Sequence, residues 1–220
     1  MELRLEDHGA VRQLGAAAPF LGALHFIAAD LPAGRAGLRL HGIAGLAELA
    51  GFDALGREPA RLLGVNVRPV RAILFDKTEA TNWALGWHQD RTIAVRKRVD
   101  LPGFGPWSVK SGMLHVEPPF ALIERMVTIR VHLDAVSADN APLLIAPGSH
   151  RLGRIAESDL ATVVENCGRA TCLAEAGDVW VYATSIVHAS AASVRTGHRR
   201  VLQIDYSVDS LGDRLEWLGI

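Results

Sequence analysis

From Asn66 onward the chain breaks into short β-type runs separated by turn residues, a texture that restricts this half to a β-sandwich or jelly roll. The runs are Val67 to Phe75, Thr92 to Val99, Met126 to Leu133, Leu143 to Ala146, Asp178 to Tyr182 and Val201 to Val208. Met126 to Leu133 alternates strictly, with Thr128, Arg130 and His132 on one face and Val127, Ile129, Val131 and Leu133 on the other. Such a polar face lines a cavity or forms the wet outer side of a sheet. The first 64 residues read differently. Val11 to Ala18 is Ala-rich and Ile43 to Leu49 repeats apolar positions at helical spacing, with a turn at Gly34-Arg35-Ala36-Gly37 between them. The expectation is a single domain over 1–220: a mainly helical arm over 1–64, then a β core over 65–210. Pro102-Gly103-Phe104-Gly105-Pro106 interrupts the β half as a lid or as a plain surface excursion.

Charge narrows the partners. Twenty-three Lys and Arg oppose 24 Asp and Glu, and a net charge of −1 gives no field to gather nucleic acid or an anionic membrane. No apolar stretch reaches the roughly 18 residues of a membrane span, and Met1 to Asp7 lacks a signal-peptide layout, so a cytoplasmic address is expected. Cys167 and Cys172 fit neither a CxxC pair nor a zinc site and are expected as reduced thiols.

Trp87-His88-Gln89-Asp90 sets an imidazole and a carboxylate two positions apart, which in an extended strand points both to one face. Oxygen-activating iron(II) sites use two histidines and one carboxylate on one octahedral face. The second histidine must arrive from elsewhere, and His188, after the apolar run Val179 to Tyr182, is well placed to supply it. Eleven residues later Arg199 opens another apolar strand, where a guanidinium suits the distal carboxyl of a dicarboxylate. Strand register decides whether Arg199 or Arg200 points inward.

These residues, with Phe75-Asp76-Lys77 before Asn82-Trp83, Asp139-Asn140-Ala141-Pro142-Leu143 leading to Pro147-Gly148-Ser149-His150, and His188-Ala189-Ser190, resemble the phytanoyl-CoA dioxygenase family over about Val70 to Tyr206. The resemblance implies a mainly β fold with flanking helices, built on a double-stranded β-helix. It implies iron(II) on His88, Asp90 and His188, and 2-oxoglutarate on Arg199 and Ser190, with Gln89 also touching the co-substrate. It implies, with O2, hydroxylation of a small molecule and release of succinate and CO2; Asp90 as third ligand disfavours the related halogenases. The family commonly has Asn-Gly-Pro-Leu where this chain has Asn140-Ala141-Pro142-Leu143, and Asn140 is expected to take the left-handed conformation instead.

Substrate-facing positions are read at Arg130, Lys110, His115 and Trp83, against the plainer readings of surface lysine, hydrogen-bonded histidine and core aromatic. An inward arginine calls for an anionic partner, so an anionic small-molecule substrate is considered. Lys77 is read as a neighbour of a carboxylate near the metal or as a solvated side chain. Two rival functions stand: a non-catalytic jelly-roll protein that binds metal or ligand, and a cupin-like metalloenzyme that does not use 2-oxoglutarate. The oligomeric state is not legible.

Overall fold

The computed structural model describes residues 2–32, 34–35, 37–194, 197–212 and 214–220. In chain order its strands are β1 (Ala10–Gln13), β2 (Gly37–Leu40), β3 (Arg68–Lys77), β4 (Leu85–His88), β5 (Ile93–Ala94), β6 (Trp107–Lys110), β7 (Met113–Val116), β8 (Val127–His132), β9 (Leu143–Ile145), β10 (Ala170–Cys172), β11 (Val179–Ala183), β12 (His188–Ser190) and β13 (Arg199–Ser207). They form a six-stranded sheet, β1-β11-β8-β13-β3-β2, a four-stranded sheet, β10-β9-β12-β4, and a three-stranded sheet, β5-β7-β6. Every pairing is antiparallel. The expected mainly β, double-stranded β-helix fold is observed.

The N-terminal arm departs from expectation. Val11 lies in β1 and not in a helix, and β2 is a second strand from the same region; the two form opposite edges of the large sheet. The Ala-rich composition is overridden by a ladder against β11 and by Arg12, whose Nε donates to Asp178 Oδ2 at 2.9 Å. Helices remain over Leu21–Ala29, Leu46–Leu49 and Arg57–Leu63. The turn read at residues 34–37 lies partly outside the described residues, and its Gly37 opens β2. Of the Thr92 to Val99 run only Ile93–Ala94 is a strand; Val95 instead bridges Trp217.

One face of the large sheet presents Ile129, Val131, Val181, Leu202 and Ile204 to Leu24, Leu46 and Leu55 of the arm. Burying each such side chain contributes about 1.5–3 kcal/mol, which holds the arm on the sheet. The opposite face carries Arg71, Lys77, Thr128, Arg130, His132, Arg199, Gln203 and Asp205, all buried. The polar face of β8 is therefore interior, and the wet-surface reading is excluded. Cross-strand register aligns Arg39, Ile73, Gln203 and Arg130 in one row over β2, β3, β13 and β8.

Residues 102–106 do not line the cavity described below. Leu101 and Phe104 pack with Val99 and Leu122, and the Gly105 N–H donates to the Glu117 carbonyl at 2.8 Å. Both cysteines are free thiols. No helix among the described residues is long and apolar enough to cross a membrane.

Candidate metal centre and its cavity

Strand β12 runs between β9 and β4, and its register sets His188 directly opposite His88. Their ring centroids are 4.3 Å apart. Asp90 follows two residues after His88, and one ligand atom from each of His88, Asp90 and His188 lies within 4.8 Å of the others. Each imidazole donates Nδ1–H to a backbone carbonyl two residues earlier, His88 to Gly86 at 2.7 Å and His188 to Ile186 at 3.0 Å. That choice of tautomer leaves both Nε2 lone pairs for a cation. Burial, then His88, lowers His188 to about 4, so at neutral pH it is an uncharged donor, as metal binding needs.

Burial works against ionisation of Asp90, but Arg71, then His188 and His88, hold its carboxyl well below the usual carboxylate range. Arg71 Nη2 donates to Asp90 Oδ2 at 3.0 Å while its Nε donates to Asp205, and Gln203 Nε2 donates to the same Asp90 oxygen at 3.3 Å. Asp90 Oδ1 has no bond among the described residues. Two imidazoles with Nε2 turned to the cluster and an oriented carboxylate fit the facial set of non-haem iron(II).

A cavity of about 170 Å³ opens over this cluster. Trp83, Lys110, Arg130, Ser190 and Arg199 all line it. Register settles the arginine pair: Arg199 lies opposite Lys77 and is 2% exposed, whereas Arg200 turns outward to a two-pronged bond with Asp134 at 2.9 and 2.7 Å. Arg199 has no hydrogen-bond partner among the described residues and its Nε is sealed from solvent; burial, then Arg130, disfavours its charge. Arg130 stacks over Phe75 at 5.0 Å. Lys77 is buried, not solvated: its Nζ donates to the Trp83 and Ala191 carbonyls at 2.7 and 2.6 Å, which two hydrogens suffice for, and lies 3.0 Å from Ser190 Oγ, a third bond open to the charged form.

Two expected residues sit elsewhere. Gln89 alternates with His88 and Asp90 and so turns away from the cavity. Its Nε2 donates to the Gly153 and Ser185 carbonyls at 3.0 and 2.8 Å, and its Oε1 accepts from Ile155 N–H at 2.9 Å. His115 is fully buried in β7, donates Nδ1–H to Met113 at 2.9 Å and does not line the cavity; burial lowers it to about 4. Asn140 does not take the left-handed turn; Ala141 does, at φ 48°.

Sequence reading passed over Arg39, Arg71, Gln203 and Asp205. For Gln203 and Asp205 the signal was present, as polar residues at alternate positions of an apolar strand. For Arg39 it was the Leu38-Arg39-Leu40 alternation, hidden by the helical reading of the arm.

The sequence profile of the family described as "Phytanoyl-CoA dioxygenase (PhyH)" matches residues 58–201. The chain belongs to the phytanoyl-CoA dioxygenase family. No curated protein sequence matches it. Solved structures of similar fold include HygX from Streptomyces hygroscopicus with nickel and 2-oxoglutarate bound, at 15% identity and TM-score 0.64, covering 92% of this chain and 84% of HygX. EctD from S. alaskensis, in its apoform, aligns at 18% identity and TM-score 0.63 over 98% of this chain and 78% of EctD. SnoN, a non-heme alpha-ketoglutarate-dependent epimerase from nogalamycin biosynthesis, aligns at 14% identity and TM-score 0.60 over 93% and 79%. At these identities the likeness speaks for the fold of this phytanoyl-CoA dioxygenase family member.

Proposed function

We propose that this protein is an iron(II)- and 2-oxoglutarate-dependent oxygenase that hydroxylates an unactivated C–H bond of a small molecule, with release of succinate and CO2. The observation that carries this reading is a single cavity holding two imidazoles, one carboxylate and a buried arginine with no partner of its own. His88, Asp90 and His188 are the ligands in this reading. Iron(II), bound there with 2-oxoglutarate and O2, supplies the oxidant for the substrate C–H bond.

The chain's own groups orient and enclose. Arg199 would hold the distal carboxylate of 2-oxoglutarate, and the Ser190 hydroxyl, turned from the Ala141 carbonyl that it meets at 3.3 Å, would donate to it as well. Arg71 and Gln203 hold the Asp90 carboxylate in one orientation for the cation. Trp83, Phe75 and Leu143 wall the cavity and thin out water around the reacting groups. A mere binder, or a cupin-like enzyme without a keto acid, has no use for Arg199 sealed in this cavity.

Anaerobic addition of iron(II) and then 2-oxoglutarate to the apoprotein is expected to give the weak visible charge-transfer band of the chelate. In Arg199→Ala the 2-oxoglutarate needed for that band rises about 30-fold, the loss of roughly 2 kcal/mol of charge-assisted bonding. A folded protein that gives no band defeats the proposal. Product mass decides the outcome of the reaction: one added oxygen atom means hydroxylation, and a new species of unchanged mass means isomerisation, as by an epimerase such as SnoN.

A further inference from the structure

The cations of the cavity fall into two groups at different ends. Lys77 lies opposite Arg199 across β3 and β13 and bonds Ser190 at 3.0 Å, and Arg130 stacks over Phe75, two residues from Lys77 on the same face of β3. Arg39 and Lys110 form the other group, around Arg71 and Asp90: Arg39 pairs with Ile73, two residues from Arg71 on the same face of β3, and Lys110 bonds Thr92, whose carbonyl accepts from Arg71 Nη1 at 3.2 Å. Register keeps the groups apart. Arg39 in β2 and Arg130 in β8 are separated by three strand spacings, on the order of 14 Å. Arg39 pairs with Ile73 and Arg199 with Lys77, four residues further along β3, about 13 Å.

Arg71 lies near Arg39 and Lys110 but is already neutralised by Asp205 and Asp90. Arg39 has no hydrogen-bond or ion-pair partner among the described residues, and its Nε is shut off from solvent. Among the described residues Lys110 reaches only the Thr92 hydroxyl, at 3.2 Å. Thr92 accepts that bond, so its own hydrogen is available to a ligand. Asp90 offsets part of their charge, but once a metal ion takes up that carboxylate, two cations left in a half-closed cavity are costly unless an anion shares it. A carboxylate would cancel one of the two charges; a phosphate monoester, carrying close to two, cancels both and has oxygens for a guanidinium, an ammonium and a hydroxyl together.

We propose that Arg39, Lys110 and Thr92 form a subsite for a phosphate monoester group carried by the substrate, separate from the place read for 2-oxoglutarate. Its role as a substrate subsite rests on the oxygenase reading; its existence as an anion site does not. The substrate class that follows is a phosphorylated small molecule whose oxidised carbon lies within reach of the metal while its phosphate is held by β2 and β6.

Inorganic phosphate is the probe. In calorimetric titrations of protein loaded with nickel(II) and excess 2-oxoglutarate, one phosphate should bind per chain. Arg39→Gln and Lys110→Gln should each weaken it about tenfold or more, acetate should bind about tenfold more weakly than phosphate, and 2-oxoglutarate affinity should stay within about twofold. A second measurement needs no variant: in metal-free wild-type protein, phosphate should slow acetylation of Lys110 by acetic anhydride, read by peptide mass spectrometry, about fivefold. Phosphate binding unchanged in both variants, acetate binding as well as phosphate, or Lys110 labelling indifferent to phosphate overturns the subsite. If phosphate protects Lys110 but 2-oxoglutarate fails to bind, the subsite stands and the oxygenase reading falls.

Discussion

His188 and His88 are cross-strand partners, 100 positions apart in the chain and opposite each other in one antiparallel ladder. The candidate metal site is thus a property of the β12–β4 pairing as much as of the residues. His188→Ala, His88→Ala and Asp90→Ala should each weaken nickel(II) binding by more than about 100-fold, beyond the range that outer-shell changes reach. Calorimetry with the folded variants measures this, and affinity retained in any of the three removes that residue from the ligand set.

Arg71 bridges Asp90 and Asp205 deep in the sheet. Arg71→Met leaves the buried Asp205 and the half-buried Asp90 facing each other without a cation. Urea unfolding should show a loss of about 3–5 kcal/mol in the metal-free protein. Loss below about 1 kcal/mol would mean that the two acids find other compensation.

Gln89 fastens the backbone at Gly153, Ile155 and Ser185 to the segment that carries His88 and Asp90. Gln89→Ala should cost about 2–3 kcal/mol of stability by leaving buried backbone groups unpaired. Its 2-oxoglutarate affinity in a direct titration should stay close to wild type; a large loss there would restore Gln89 as a co-substrate contact.

Lys77 titrates far below an ordinary lysine, at about 7, first through burial and then through Arg199 and Arg130. The folded state therefore holds fewer protons than the unfolded chain between pH 7 and 10.5, so the contribution of Lys77 to stability rises with pH across that window. A dicarboxylate arriving beside Arg199 raises the Lys77 pKa again. Binding of 2-oxoglutarate at pH 8 should take up between about half and one proton, and almost none at pH 6, in calorimetry across buffers of different ionisation enthalpy. Zero uptake at pH 8 contradicts a neutral Lys77.

Ala141 holds φ 48° with its side chain buried, and its carbonyl accepts the Ser190 hydroxyl at 3.3 Å. A left-handed alanine costs roughly 1–2 kcal/mol, and losing one buried methyl returns about 0.8 kcal/mol of that. Ala141→Gly should therefore raise stability by up to about 1 kcal/mol in urea unfolding, and a decrease would show that the methyl packs better than this balance allows.

Local pattern determined much of this protein from sequence. The alternation in β8 and β13 made the β core legible because strand periodicity is a backbone property that needs no partner. His88 and Asp90 were legible together because two residues of spacing on an extended chain gives one face. The inward turn of Arg199 over Arg200, the seat of Gln89 outside the cavity and the entry of Arg39 into it were decided by tertiary pairing. A one-residue change of register exchanges the faces of a strand, and only the neighbouring strand fixes that register. The Ala-rich arm shows the same: its weak helical preference yielded to ladders with β11 and β3, because hydrogen bonds and burial along a sheet edge outweigh a few tenths of a kcal/mol of local propensity per residue.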